Sequence, residues 1–72
     1  MIPLIMVNAG EVVTVGRVSG SPDIKKHLED LGFTPETQVT VVQTSGGNMI
    51  LKIRDSKLAL TKEMASKIMV NP

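Results

Sequence analysis

Apolar and polar residues alternate over most of this chain, which is the pattern of half-buried β-strands. The alternation, with valine and isoleucine at many apolar positions, predicts strands over residues 11–18, 38–44, 49–54 and 57–60 and a closing strand over 68–70. Clusters of glycine, proline, serine and asparagine separate several of these segments, as expected for turns. We therefore predict a mainly β protein of about five short strands.

One segment has helical spacing instead. Ile24, Leu28 and Leu31 lie at positions i, i+4 and i+7, so in a helix they form one apolar stripe that we expect to face the core. The charged residues of the same segment, expected to face water, are Lys25, Lys26, Glu29 and Asp30. The sequence thus predicts one α-helix that runs to about Leu31.

Both ends of this helix carry residues that favour helix termini. Ser21 has the hydroxyl of a good N-cap, and Pro22 suits the first helical position. Gly32 suits a left-handed C-terminal cap, after which Phe33 is placed to pack back on Leu28, as in a Schellman motif. The helix is therefore the segment whose local structure the sequence specifies best.

The short elements together predict a small barrel. Thr61 can cap a short C-terminal helical turn before the closing strand. Closure would pair the two edge strands of the sheet, whose unpaired backbone groups would otherwise promote aggregation.

With 72 residues, the chain supports one domain, which we assign to residues 1–72. It contains no cysteine, so an aliphatic core must stabilise it without disulfides.

The charge is nearly balanced, with eight Lys and Arg against seven Asp and Glu and a formal net charge of +1. This balance argues against nonspecific binding to nucleic acid or membrane surfaces, which needs a concentrated basic field. The apolar runs are much shorter than the roughly 20 residues of a membrane span. We expect a cytoplasmic protein that binds no nucleic acid and is not inserted in a membrane.

Few residues could support catalysis or bind a metal. His27 is the single histidine, no cysteine is available as a nucleophile, and neither Glu29 nor Asp30 lies at i+4 from the histidine. The simpler interpretation of His27 is an exposed or half-buried helix residue. We predict no catalytic residues, no cofactor and no metal site, and therefore a protein that is not an enzyme.

The candidate residues for a binding function lie on the predicted helix, just after it, and on the predicted strand over residues 49–54. The helix offers two lysines and a histidine beside an apolar seam, and basic residues bracket the following hairpin turn. The predicted partner-binding residues are Lys25, Lys26, His27, Phe33, Lys52 and Arg54. Lys57 and Arg17 could extend a basic rim, although alternating charges are also normal on the solvated face of a strand. The composition leaves a homo-oligomer possible.

Three stretches carry a family resemblance. HLEDLGFTPETQVTVV, at residues 27–42, resembles the FeoA signature of a helix ending in Leu-Gly, an apolar residue, a proline turn and a valine-rich strand. The opening LIMVNAGEVVTVGRVSG and the closing LALTKEMASKIMV resemble the two ends of that family. The family usually has glycine where this chain has Glu36, and commonly a basic pair where it has Thr61 and Lys62.

The resemblance implies an SH3-like barrel with a role in bacterial ferrous iron uptake. It implies a cytosolic accessory protein that binds and modulates FeoB, the membrane GTPase that moves Fe(II), and it associates the chain with transition metal ion binding and iron homeostasis. The same fold resembles the C-terminal domain of DtxR-type metal-dependent regulators. The alternative is therefore a stand-alone or fragment SH3-like domain of such a transcriptional regulator.

Overall fold

The structure, a computed structural model, describes residues 1–72 and contains six strands and two helices. In chain order these are β1 (Ile2–Pro3), β2 (Val12–Val18), α1 (Pro22–Asp30), β3 (Gln38–Ser45), β4 (Asn48–Ile53), β5 (Ser56–Thr61), α2 (Lys62–Ala65) and β6 (Ile68–Asn71). A 3-10 turn, Leu4–Met6, follows β1. The five longer strands, the helix and the C-terminal helical turn lie where they were predicted, whereas β1 was not predicted.

All six strands form one antiparallel sheet in the order β1-β6-β2-β3-β4-β5. The last strand lies between the first two, since Val70 is opposite both Ile2 and Val15. The predicted barrel closure is not confirmed, because β1 and β5 are the edges of the sheet and do not pair with each other. α2 packs on β4, on β5 and on the 3-10 turn beside β1, so it links the two edge regions instead.

The core contains 15 buried residues, and all of them are apolar. The predicted alternation is confirmed on β3 and β4: Val39, Val41, Met49 and Leu51 are fully buried, while Lys52 on the opposite face is exposed. Every strand from β2 to β6 contributes to this cluster, and α1 contributes Leu28. One face of the sheet therefore packs against the core, and the other face carries the exposed residues of the strands.

The C-terminus of α1 forms the predicted Schellman motif in full. The Phe33 N–H donates to the Leu28 carbonyl at 3.0 Å, and the Gly32 N–H donates to the Glu29 carbonyl at 2.9 Å. Gly32 has φ +108°, and a Cβ there would approach Ile53 Cδ1 at 3.3 Å. At the N-terminus, Ser21 accepts a hydrogen bond from the backbone of the third helical residue, as predicted.

The predicted burial of Leu31 is wrong. Leu28 is fully buried, but Ile24 is only half-buried and Leu31 remains 36% exposed. Leu31 is the C-cap residue, one position beyond the last helical residue, Asp30. The short helix covers the core with its middle turn, so both ends of the apolar stripe stay partly accessible to solvent.

Candidate functional site

The outer face of the sheet contains one open groove of about 710 Å³. It is lined by Val12, Glu36, Thr37, Gln38, Thr40, Lys52 and Arg54. The lining comes from β2, β3 and β4, from the turn after β4 and from the loop between α1 and β3. Most of its residues carry a hydroxyl, an amide or a charge, so the groove can form hydrogen bonds and ion pairs.

Strand register places these side chains next to one another. Val12 of β2 is opposite Thr40 of β3, and Thr40 is opposite Lys52 of β4. Directly opposed residues point to the same face of a sheet, so the three form a transverse row across the floor of the groove. Continuing the β3–β4 register by one residue places Arg54 beside Gln38. Side chains far apart in sequence thus meet because the strands pair.

One wall of the groove is formed by a tight turn over residues 34–37. The Thr37 N–H donates to the Thr34 carbonyl at 3.1 Å, with Pro35 second and Glu36 third in the turn. Glu36 has φ +74°, which together with the proline defines a type II turn. Hydrogen bonds from the Glu36 N–H to Val15 and from the Val15 N–H to Thr37 tie this turn to β2.

Glu36 and Arg54 are the only residues other than glycine with positive φ, and both line the groove. Arg54 has φ +55° and is the first central residue of the two-residue turn between β4 and β5, a position where a type II′ turn favours glycine. Left-handed backbone at residues with a Cβ has an energetic cost, and such residues concentrate at functional sites. The groove therefore combines charged side chains with a strained backbone.

We expect Glu36→Gly to raise the free energy of unfolding by about 1 kcal/mol, because glycine adopts positive φ without the steric penalty of a Cβ. Urea denaturation measures the change. Glu29→Gly is the matched control: Glu29 is also exposed but lies inside α1, where glycine should lower the stability by about 1 kcal/mol. Equal losses in the two variants would contradict the assignment of strain to Glu36.

Two lysines face each other at the side of the groove nearest β5. Lys52 of β4 is directly opposite Lys57 of β5, and both are exposed. Like charges at directly opposed positions of an antiparallel pair destabilise it. Arg54 lies close by in the connecting turn, followed by Asp55. The groove therefore has a locally basic side, while Glu36 contributes a negative charge to the lining.

Lys57→Glu is expected to raise the free energy of unfolding by about 0.5 kcal/mol at low salt, because it replaces a repulsive cross-strand pair with an attractive one. Thermal denaturation at low and high salt measures this gain, which salt should diminish by screening. Lys57→Gln removes the repulsion without adding an attraction, so it should give an intermediate value. A variant less stable than the parent protein would contradict the opposed arrangement of the two lysines.

The structure brings together only two of the predicted partner-binding residues, Lys52 and Arg54. Lys25, Lys26 and His27 are exposed on α1 and do not line the groove. The predicted set thus divides into a helix surface and a groove surface. No group of three or more His, Cys, Asp or Glu side chains is arranged to hold a metal ion.

Phe33 does not fit the predicted partner-binding set. It is 0% exposed and belongs to the core cluster, where it packs as the residue that follows the helix cap. Its backbone N–H is held by Leu28, so the side chain is directed into the protein by the same motif that ends α1. A docking partner cannot contact Phe33 in this conformation.

Sequence reasoning missed most of the polar lining of the groove. Glu36, Thr37, Gln38 and Thr40 were interpreted only as parts of a turn and a strand. The departure from the glycine usual in the family at position 36 was the one available signal, since it places a charged residue where the turn favours glycine. The local pattern indicates a hairpin of β3 and β4 but not their exact register, which shifts between Val41 and Gln43.

The model of the FeoA domain family matches residues 2–72. The chain belongs to the FeoA family. A protein of Methanocaldococcus jannaschii with the provisional name Fe(2+) transport protein A is 27% identical over 70 residues, covering 97% of this chain and 85% of that protein. The FeoA domain is a non-enzymatic accessory domain. No helix of this chain is long and apolar enough to cross a membrane.

Solved structures confirm the predicted SH3-like fold. A FeoA crystal structure described as an iron uptake regulatory protein superposes with a TM-score of 0.91 at 22% identity, covering 97% of this chain and 95% of that one. Stenotrophomonas maltophilia FeoA complexed with zinc, described as a procaryotic SH3 domain protein, gives 0.87 at 19% identity, covering 99% and 91%. At these identities the likeness establishes the fold alone.

A manganese-dependent transcriptional repressor contains the same fold. It superposes with a TM-score of 0.88 at 21% identity, and the match covers 96% of this chain but only 40% of the repressor. The likeness therefore concerns one part of a longer regulatory protein.

Proposed function

We propose that this protein is a cytosolic accessory protein of bacterial ferrous iron uptake that binds a FeoB-like membrane GTPase and modulates its activity. The observation that carries the proposal is the FeoA domain match over residues 2–72. The relative named for Fe(2+) transport supports a role in ferrous iron uptake. The zinc complex of the Stenotrophomonas maltophilia relative supports an association of the family with transition metal ions.

The distribution of polar and apolar residues supports a docking role. Every buried side chain is apolar, so the groups able to form ion pairs or hydrogen bonds with a partner lie at the surface. Two surfaces offer them: the exposed helix residues Lys25, Lys26 and His27, and the groove residues Lys52 and Arg54. We propose these five as partner-binding residues and omit Phe33, which is buried.

The proposal is tested by a pulldown with the purified cytosolic domain of the GTPase at low salt. We expect the folded protein to retain that domain and to change its rate of GTP hydrolysis. A heat-denatured sample of the same chain serves as the control for nonspecific adsorption. Absence of a retained complex, from protein shown to be folded by circular dichroism, would overturn the proposed function.

The second candidate is the SH3-like domain of a DtxR-type metal-dependent transcriptional regulator. The superposition on a manganese-dependent repressor favours it, but that likeness concerns the fold and less than half of the repressor. Gene neighbourhood distinguishes the two candidates. An adjacent gene for a large membrane GTPase would support the uptake role, and an adjacent or fused helix-turn-helix segment would support the regulator.

A further inference from the structure

The character of the groove restricts what can bind there. Val12 is the only apolar residue of its lining, whereas hydrophobic ligands and amphipathic helices require largely apolar walls. Thr37, Gln38 and Thr40 offer hydroxyl and amide groups along the strands. A polar, extended chain segment fits this lining better than a compact apolar ligand.

The charges in and beside the groove indicate the sign of that segment. Lys52 and Arg54 outnumber Glu36 within the lining, and Lys57 stands directly opposite Lys52. Asp55, next to Arg54 in the turn, does not lie between the two lysines in the strand register. A carboxylate placed between the lysines would be attracted by both and would relieve their mutual repulsion.

Backbone strain in the same groove supports a functional role. The chain has two non-glycine residues with positive φ, Glu36 and Arg54, and both carry charged side chains into the lining. Glycine would satisfy either turn at a lower energetic cost. Two charged residues held at such positions in one groove are the pattern expected where function opposes stability.

We infer that the groove binds an extended acidic segment of a partner protein, with a carboxylate between Lys52 and Lys57 and an apolar side chain of the segment against Val12. Naming the partner as the GTPase rests on the proposed function, whereas the chemistry of the bound segment rests on the groove. The surface of α1, with Lys25, Lys26 and His27, lies outside this binding site.

A pair of labelled peptides tests the chemistry directly. The probe is a fluorescein-labelled octapeptide in which pairs of glutamates alternate with pairs of valines, so that each face of the extended chain carries both residue types. Its control has glutamine in place of every glutamate. Fluorescence anisotropy at about 50 mM and about 500 mM salt should show binding of the acidic peptide on the order of tenfold tighter than the control, and only at low salt. Equal binding of the two peptides would overturn the inference.

Charge-reversal variants test the location. Lys52→Glu combined with Lys57→Glu reverses the sign of the opposed pair but keeps its repulsion, so folding stability should change little. We expect roughly tenfold weaker binding of the acidic peptide by this double variant. Binding should be unchanged in the control, Lys62→Glu combined with Lys67→Glu, because neither of these lysines lines the groove. Weaker binding by the control variant alone would overturn the inference.

The pulldown with the GTPase's cytosolic domain separates this inference from the proposed function. If the parent protein and the groove double variant retain the domain equally well, the groove is not its docking site, although the accessory role stands. If the parent protein retains no domain, the proposed function fails, and the peptide measurements still decide the chemistry of the groove. Retention by the parent protein together with loss of retention by the groove variant supports both.

Discussion

Phe33→Ala is expected to lower the free energy of unfolding by about 3 to 5 kcal/mol, because it removes the largest fully buried side chain and leaves a cavity. The whole stability of a chain of this length is roughly 4 to 11 kcal/mol. A substantial fraction of the variant should therefore be unfolded or close to unfolding at physiological temperature. Urea denaturation followed by circular dichroism measures the loss.

Phe33→Leu separates a structural role of this residue from a docking role. Leucine keeps most of the apolar volume, so we expect a loss of only about 1 to 2 kcal/mol and a folded protein that still binds its partner. If Phe33 contacted the partner instead, both variants would fold nearly as well as the parent and both would lose binding. Native stability of Phe33→Ala with lost binding would contradict the buried position.

Leu28→Ala should lower the free energy of unfolding by about 2 to 5 kcal/mol. Leu28 is the one fully buried residue of α1, and truncating it removes the main contact of the helix with the core. The same residue provides the carbonyl that accepts the Phe33 N–H, a backbone bond that the substitution leaves in place. The measured loss of unfolding free energy should therefore reflect the lost packing of the Leu28 side chain, not a change in the helix cap.

Leu31→Ala is the matched control for Leu28→Ala, with the same chemical change three residues later. Leu31 is 36% exposed and caps the helix, so we expect a loss below about 1 kcal/mol. The ratio of the two losses, measured by denaturation under identical conditions, tests whether α1 covers the core with its middle turn. Similar losses would mean that Leu31 is also buried, as the helical spacing alone predicted.

Local signals predicted much of the fold because they act over a few residues. Gly32 followed by Phe33 indicated the helix end, and Ser21 indicated its start, since capping depends on neighbours in sequence. Burial of Leu31 was predicted wrongly because helical spacing shows which side faces inward but not where the core ends. β1 was missed because two residues, one of them Pro3, carry no periodicity.

The candidate site was predicted only in part, because it depends on contacts between distant segments. Lys52 and Arg54 were identified from their charge beside a hairpin turn, and both line the groove. Their neighbours Gln38 and Thr40 come from β3, whose register with β4 contains a shift between Val41 and Gln43. Closure of the barrel is not confirmed for a similar reason, since pairing of β1 with β5 is a property of the whole chain.

The position of β6 between β1 and β2 has a consequence for synthesis of the protein. Residues 68–71 hold the opening segment of the chain in the sheet, so β1 has no partner until they have left the ribosome. Pairing of such distant segments also slows folding, because a long loop must close first. The opening segment should therefore remain sensitive to proteases until residues 68–71 have emerged from the ribosome.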